Sequence, residues 1–206
     1  MKGANGGNVL VKPTEMVRLI ARHYGGPGDV AVDATAGNGG DTLFLARLVD
    51  AGGPGGGRVY AFDLQEEALA MTRTRLSKEG YEEGESLRLI LDNHAHMTDH
   101  VKESLSVILF NLGYLPGGDK SVTTCADSTL DAVEQGLSLL KKNGVLIITL
   151  YPGHEEGGRE RELLADYVKN LPGEVYHGAH FKLINQKKDP PEILAITKKG
   201  KGKATC

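Results

Sequence analysis

The sequence contains few cysteines, and their spacing suggests no shared metal or disulfide. Only Cys125 and Cys206 occur among 206 residues, and neither belongs to a CxxC motif. Nothing therefore indicates a zinc ribbon or a redox dithiol, and we expect a reducing compartment. This predicts a cytoplasmic protein, or an organellar one from which a transit peptide has been removed.

Long apolar runs and an excess of positive charge are missing as well. No run approaches the roughly 20 apolar residues that cross a bilayer, and the N-terminus lacks the apolar core of a signal peptide. We therefore expect no membrane partner. The formal net charge is −3 and the pI is about 6.2, which excludes a strongly basic nucleic-acid-binding fold but leaves room for a local basic patch.

The length of the chain suits a single α/β domain, which we place at residues 11–199. Residues 1–10 have nothing to bury and are expected to form a disordered tail. Residues 200–206 form a basic second tail, for which a solvated end is favoured over a phosphate contact. The sequence leaves open both a monomer and a homodimer.

The stretch from Val30 to Leu48 organises the rest of the chain. Its first three residues are apolar and predict a buried strand, and the pattern after Asp41 predicts an amphipathic helix. Between them lie Gly37 and Gly39, which allow a tight turn and a close approach to a ligand. The following helix would point its unpaired N–H groups at that ligand.

The spacing of this loop separates two ligand classes. A dinucleotide fingerprint requires glycine or alanine where this chain has Thr42, so that match fails. An acidic residue, three residues and then GxG, from Asp33 to Gly37, Asn38 and Gly39, resemble motif I of the class I S-adenosylmethionine-dependent methyltransferases. In that motif the loop backbone packs against the methionine part of the cofactor. A glycine turn in another doubly wound protein remains the alternative at this point.

The next two strands end in further polar residues. The strand Arg58–Phe62 leads to Asp63, where a carboxylate meets the ribose hydroxyls of a nucleoside. A helix cap for the segment Gln65–Lys78 is an equally good interpretation, and both can hold together. The strand Leu87–Leu91 precedes Asn93 and His94, the positions that flank the adenine ring in methyltransferases.

Three histidines lie close together after that strand, at positions 94, 96 and 100. No cysteine, aspartate or glutamate completes a known metal-binding spacing such as HExxH. We therefore expect no metal, and we interpret the three as histidines on the surface of a helix.

The apolar run Ser106–Phe110 predicts a central strand that delivers Asn111 and Tyr114 to the cleft. Residues 111–114, NLGY, are similar to the [DN]PP[YF] motif of amino-group methyltransferases, with Leu and Gly in place of the prolines. In that motif the Asn carbonyl accepts a hydrogen bond from the amine, and the aromatic ring stacks on the base that carries it. Asp119 is the candidate acceptor or orienter of the amine, although Asp119 and Lys120 also fit a solvated turn.

The remaining pattern predicts helices at Thr129–Leu140 and Glu160–Leu171, with a loop at residues 153–158 between them. The predicted strands are Val145–Tyr151, Val175–Ile184 and Ile193–Lys198. An initial helix from Pro13, ending before Gly25, would pack on the sheet at the edge of the cofactor site. Together these elements predict a Rossmann-like class I methyltransferase fold, with a seven-stranded, mostly parallel sheet, an antiparallel last strand and helices on both faces.

Four motifs together resemble one family: VDATAGNGGDT, AFDLQEEAL, FNLGYLPGGDKS and INQKKDPP. It is the family long labelled putative rRNA methylases, whose members include the tRNA 5-(aminomethyl)uridine-34 methyltransferase. The resemblance extends from about Val11 to Lys199. It implies methyl transfer from S-adenosylmethionine to the amine of 5-aminomethyluridine at the wobble position. The matching positions are Gly37, Asn38, Gly39, Asp41, Thr42, Asp63, Gln65 and Asn111, whereas Gly40 departs from the His that relatives often carry.

The expected partner is the anticodon stem-loop of a tRNA. A single-stranded loop presents a splayed base to an aromatic platform, so an acidic protein needs only a local basic rim. Tyr114, Lys120, Gln186 and Lys187 are the candidate substrate contacts. Ribosomal RNA or a small-molecule amine is the alternative acceptor, and a non-catalytic nucleotide-binding module is the alternative of another class.

Overall fold

The computed structural model describes residues 12–112, 126–153, 155–186 and 188–200. Seven strands form one sheet in the order β3-β2-β1-β4-β5-β7-β6. The strands are β1 (Val30–Asp33), β2 (Arg58–Asp63), β3 (Leu87–Leu91), β4 (Leu105–Asn111), β5 (Leu140–Leu150), β6 (Tyr176–Phe181) and β7 (Glu192–Lys198). The first five pair in parallel, and β7 lies antiparallel between β5 and β6. The predicted seven-stranded sheet with an antiparallel last strand is confirmed.

Helices cover both faces of this sheet. They are α1 (Pro13–Tyr24), α2 (Gly40–Val49), α3 (Glu66–Ser77), α4 (Met97–His100), α5 (Ala126–Leu139) and α6 (Glu155–Asn170). Alternate residues of the central strands point to opposite faces. Val107 and Val145 therefore pack with α1 and α2, whereas Ile108 and Leu146 pack with α5 and α6. The two cores explain why the central strands are continuously apolar.

Several boundaries differ from the sequence prediction by one to three residues, and two of them, the starts of α6 and β5, differ by five. The predicted loop at residues 153–158 is wrong from Glu155 onwards, because α6 begins there and its first turn contains Gly157 and Gly158. Two adjacent glycines suggested a loop, yet each costs a helix only about 1 kcal/mol relative to alanine, which packing readily offsets. Strand β5 starts at Leu140 instead of Val145, since Leu140 pairs with Leu105 before the register shifts.

The order of the strands places the ligand crevice. Strand β1 has β2 on one side and β4 on the other. After β1 the chain therefore adds β2 and β3 toward one edge of the sheet, and from β4 onwards it adds strands toward the opposite edge. Ligands of open α/β sheets bind outside the carboxyl ends of the strands at such a reversal. Asp33, Asp63 and Asn111 are the last residues of β1, β2 and β4, and they meet at this edge.

The two predicted tails, at residues 1–10 and 200–206, fall outside the described residues except for Gly200. Within the described ranges, no helix combines the length and the apolar character needed to cross a membrane.

Candidate functional site

The loop between β1 and α2 turns tightly at its glycines. Gly37 and Gly39 have φ angles of 52° and 78°, in the left-handed region that favours glycine. A Cβ on Gly39 would lie 2.8 Å from the Cα of Thr72 in α3. Gly39 is the N-cap of α2, and the first N–H group of this helix, that of Gly40, donates to the Asn38 side chain at 3.3 Å. The loop therefore packs against α3 on one side and opens toward the crevice on the other.

Asp33 supports this loop from below. Its side chain is buried, and its carboxylate accepts hydrogen bonds from the Thr42 hydroxyl at 2.6 Å and from the Thr35 N–H at 3.1 Å. The pKa of Asp33 is raised to about 7, mainly by burial and to a smaller extent by repulsion from Asp41. Asp33 and Thr42 thus tie β1 to α2, and a direct cofactor contact through either side chain stays a prediction.

Asp63 joins the second strand to the same loop. One of its carboxylate oxygens accepts the Gly37 N–H at 2.9 Å, and the other accepts the Gln65 N–H at 3.0 Å. The second bond forms an Asx turn into α3, where Gln65 is the N-cap without a side-chain hydrogen bond of its own. Asp63 therefore stabilises both the glycine turn and the start of α3, but the capping interpretation is wrong in position, because Gln65 and not Asp63 is the N-cap. Ribose binding by its remaining lone pairs stays a prediction.

Asp41 and Asn111 meet across the mouth of the crevice. The Asn111 side-chain amide donates to the Asp41 carboxylate at 3.4 Å, and the Asn111 backbone N–H donates to the Thr35 hydroxyl at 2.8 Å. A carboxylate accepts only, so the amide NH2 group must face Asp41. No donor among the described residues contacts the Asn111 carbonyl oxygen, so it can accept a hydrogen bond from a ligand.

Asp41 is largely buried, and burial raises its pKa against the opposing effects of Arg18 and Asn111. Asp33, Asp41 and Asp63 thus bring three carboxyl groups around one loop, and the charges of Asp41 and Asp63 both raise the pKa of Asp33. A cationic group bound here would relieve that repulsion. The site therefore fits a nucleoside with a positively charged tail, which is the expected cofactor.

Two residues near Asp41 were missed by sequence reasoning. Arg18 of α1 places its Nη2 atom 3.9 Å from the Asp41 carboxylate. Tyr151 follows β5, and its pKa is raised by burial and by the charge of Asp41. The argument used for Asn111, a polar side chain directly after a buried central strand, would have found Tyr151. No local pattern identifies Arg18, because its partner belongs to a different helix.

The histidines after β3 divide into two groups. His96 and His100 lie at the surface as expected and contact the two carboxylate oxygens of Asp92 at 2.9 and 2.7 Å. The surface interpretation is wrong for His94, which is only 6% exposed. Its Nδ1 lies 3.0 Å from the carbonyl oxygen of Ala34, at the end of β1. A ring contact with Phe110 completes its burial, which sequence periodicity alone does not reveal.

The two predicted adenine contacts, Asn93 and His94, already use one side-chain atom each in contacts within the protein. Burial lowers the pKa of His94, so the ring is neutral with its proton on Nδ1, and its Nε2 has no partner among the described residues. The Asn93 side chain accepts the Ala95 N–H at 2.9 Å and caps the 3-10 turn His94–His96. Their contact with adenine stays a prediction.

Other predicted site residues fall on the same edge or outside the described ranges. Gln186 is exposed in the segment between β6 and β7, which joins the ends of those strands next to the crevice. Tyr114, Asp119, Lys120 and Lys187 lie outside the described residues. Within the described ranges, no cluster of three or more histidine, cysteine, aspartate or glutamate side chains is arranged to hold a metal ion.

Residues 59–197 match the model of the protein family described as "Putative rRNA methylase". A curated relative, the chloroplastic tRNA (mnm(5)s(2)U34)-methyltransferase of Arabidopsis thaliana, is 36% identical over 179 residues, or 85% of this chain. The alignment spans 65% of the length of that relative. The small-subunit ribosomal RNA methyltransferase H of Sinorhizobium fredii is 30% identical over 68% of this chain and 35% of its own length.

Solved structures share the fold over nearly the whole chain. A putative rRNA-methylase from Clostridium thermocellum superimposes with a TM-score of 0.84 at 33% identity, covering 90% of this chain and 96% of its own. A putative methyltransferase from Streptococcus mutans, solved in complex with SAH, gives a TM-score of 0.81 at 33% identity, with coverages of 91% and 98%.

Proposed function

The chain belongs to the putative rRNA methylase family, and from this premise we propose that it methylates the amine of 5-aminomethyluridine at position 34 of tRNA. The product is 5-methylaminomethyluridine. The fold is the class I methyltransferase fold and the cofactor is S-adenosylmethionine. The Arabidopsis relative, named for mnm(5)s(2)U34, a 2-thiouridine that carries the same 5-methylaminomethyl group at position 34, supports the choice of acceptor.

The structural observation that supports the proposal is the orientation of the Asn111 amide. Its NH2 group faces Asp41 at 3.4 Å, so its carbonyl oxygen is the group presented to an incoming amine. A primary amine that donates to this oxygen turns its lone pair away from the hydrogen bond. In this arrangement the lone pair faces the methyl group instead of the protein.

S-adenosylmethionine, when bound, supplies a methyl group on a sulfonium, which is already a good leaving group. The protein then has to align the amine, exclude water and keep the amine unprotonated. Such alignment contributes about 7–11 kcal/mol to comparable transfers. We assign alignment to Asn111, stacking on the uracil ring to Tyr114 and acceptance of the amine hydrogen bond to Asp119.

We also propose which residues contact the cofactor. We assign the methionine end to the backbone of Gly37, Asn38 and Gly39 together with Asp41 and Thr42. The ribose lies at Asp63 with Gln65 beside it, and adenine lies at Asn93 and His94. Asp33 acts on these groups from beneath the loop, through its bonds to Thr35 and Thr42.

The substrate rim comprises Lys120, Gln186 and Lys187, which we assign to the anticodon stem-loop. We expect the enzyme in a reducing compartment, in the cytoplasm or in an organelle, as the chloroplastic relative illustrates for its own case. A homodimer stays a prediction.

The decisive experiment incubates the protein with labelled S-adenosylmethionine and tRNA whose wobble uridine carries an aminomethyl group. We expect labelled 5-methylaminomethyluridine, and none on the same tRNA with plain uridine at position 34. Asn111→Ala should lower kcat by about 100-fold or more, in the range of a lost positioning group, while the Kd for S-adenosylmethionine changes little. No transfer to the aminomethyl tRNA by protein that binds the cofactor would contradict the proposal.

Ribosomal RNA is the second candidate acceptor, favoured by the likeness to the small-subunit ribosomal RNA methyltransferase H. A small-molecule amine would use the same Asn111 geometry. Nucleoside mass spectrometry of a deletion strain separates these cases, because only the tRNA proposal predicts loss of 5-methylaminomethyluridine. A non-catalytic module predicts that Asn111→Ala leaves every cellular phenotype intact.

A further inference from the structure

Arg18 brings a guanidinium group into the crevice without using its hydrogen bonds. Its Nη2 lies 3.9 Å from the Asp41 carboxylate and its Nη1 lies 3.7 Å from Glu15. Both distances exceed the 2.7–2.9 Å of charge-assisted hydrogen bonds. Its Nε is buried and has no partner in the described part of the chain. Arg18 therefore forms two long ion pairs, with Glu15 and Asp41, while its Nε keeps no partner among the described residues.

The guanidinium group is held in position by an aromatic ring. Its central carbon lies 5.5 Å from the centre of the Phe44 ring, within the range of a cation–π contact. Phe44 and Asp41 are three residues apart on α2, so they share one face of that helix. Only 29% of the Arg18 side chain is exposed. Because its two carboxylate partners lie at 3.7 and 3.9 Å, this partly buried cation can form a shorter charge-assisted hydrogen bond with an additional anionic group at this end of the loop.

The methionine end of S-adenosylmethionine carries two opposite charges, an α-ammonium and an α-carboxylate. The glycine loop assigned to this end is flanked by one largely buried carboxylate, Asp41, and one partly buried cation, Arg18. We propose that Arg18 binds the α-carboxylate of the cofactor while Asp41 binds the α-ammonium. The proposal rests on S-adenosylmethionine as the cofactor of the proposed function, and it is independent of which RNA or amine is methylated.

The chain supplies a matched control in the same helix. Arg22 is one turn after Arg18 and lies 5.3 Å from the centre of the same Phe44 ring. Its side chain is exposed, and within the described residues it forms no ion pair with Asp41. Substitution of Arg22 therefore removes a cation–π contact with Phe44 while the charge next to Asp41 is kept.

The test measures binding by calorimetry for wild type, Arg18→Met and Arg22→Met with three probes. These are S-adenosylmethionine, its decarboxylated analogue, and 5′-methylthioadenosine, which lacks the amino-acid group. We expect Arg18→Met to weaken the binding of S-adenosylmethionine by about 10- to 100-fold, as for a lost charge-assisted hydrogen bond. Its affinities for the other two probes should change by less than about threefold. Arg22→Met should bind all three as wild type does.

Equal weakening of all three probes by Arg18→Met would overturn the proposal, because it would show that Arg18 only supports the fold. Undiminished binding of S-adenosylmethionine would overturn it as well. Thermal unfolding of each variant checks that the chain is folded. Since no RNA is present, failed methyl transfer to tRNA would count against the proposed acceptor and leave this result standing.

Discussion

Asp33 shows how a single buried carboxyl group links the cofactor loop to stability. Its pKa is about 7 in the folded protein, against 3.8 ordinarily. Between these values the folded chain binds a proton that the unfolded chain has released, so the free energy of unfolding falls as the pH rises. The decrease levels off above the folded pKa. Asp33 therefore costs the ligand-free protein stability at neutral pH, in exchange for a carboxylate placed under the loop.

We expect Asp33→Asn to abolish this dependence. Urea unfolding between about pH 5 and pH 8 measures the free energy of unfolding of wild type and variant. As the pH rises, the free energy of the variant should increase by about 1–3 kcal/mol relative to that of wild type. The Asn side chain keeps one acceptor oxygen, so loss of one of the two hydrogen bonds that Asp33 accepts from Thr35 and Thr42 adds an offset that does not vary with pH. Stability curves that stay parallel over the whole range would show that Asp33 is ionised in the folded protein.

Local residue patterns predicted the glycine loop, because its turn, its acidic residue and its helix start lie within a dozen residues of each other. The contacts that complete the site connect distant parts of the chain. Arg18 approaches Asp41, and Asn111 donates to it, only after α1 and β4 have packed beside α2. The sequence likewise could not show that the Thr42 hydroxyl is occupied by Asp33.

At the scale of elements, sequence reasoning succeeded where the sheet buries whole strands. Strands β1, β2 and β4 read as apolar runs because both of their faces are covered. It failed at α6, whose initial glycines imitate a loop, and at the start of β5, where a register shift separates Leu140 from Val145. Helix and strand ends depend on packing, which composition does not encode.

Ion pairs connect β6 and β7 next to the segment that joins these two strands. Glu192, at the start of β7, is 3% exposed and accepts from His180 at 2.7 Å and from Lys182 at 3.0 Å. Burial raises the pKa of Glu192, but Lys182 and His180 outweigh it and the net pKa is lowered. This cluster holds the segment that carries Gln186 at the substrate edge.

Glu192→Gln should therefore loosen that segment and lower the free energy of unfolding by about 1–3 kcal/mol at neutral pH. Because the pKa of Glu192 is lowered, the cost should shrink as acid protonates the wild-type carboxyl group. We expect a higher KM for tRNA with an unchanged Kd for S-adenosylmethionine. Glu174→Gln, on an exposed residue before β6, is the control. Equal losses in tRNA and cofactor binding would show a general unfolding effect instead.

At the scale of the whole molecule, a net charge of −3 restricts how the protein binds RNA. Only a local rim of cations is expected to contact phosphates, so few counterions should be released on binding. We expect log Kd to depend on log salt with a slope of about 2, which corresponds to about three contacts with single-stranded RNA.

Lys187→Gln should reduce that slope by about 0.7, the contribution of one contact with single-stranded RNA. Lys142→Gln is the matched control, since Lys142 is exposed near the start of β5, at the opposite end of that strand from the crevice. Filter binding of an anticodon stem-loop over a salt series measures both. A slope unchanged by Lys187→Gln would remove this lysine from the RNA contacts.

The position of β7 between β5 and β6 has a consequence for protein synthesis. A ribosome releases β6 before β7, so the nascent chain holds a strand that has no neighbour to pair with. Until residues 192–198 emerge, the edge of β5 is open to other polypeptides, and unpaired edges are where aggregation starts. The cofactor crevice, from Arg18 to Tyr151, has by then been fully translated. Early binding of S-adenosylmethionine would thus stabilise the five parallel strands while the last strand is still inside the exit tunnel.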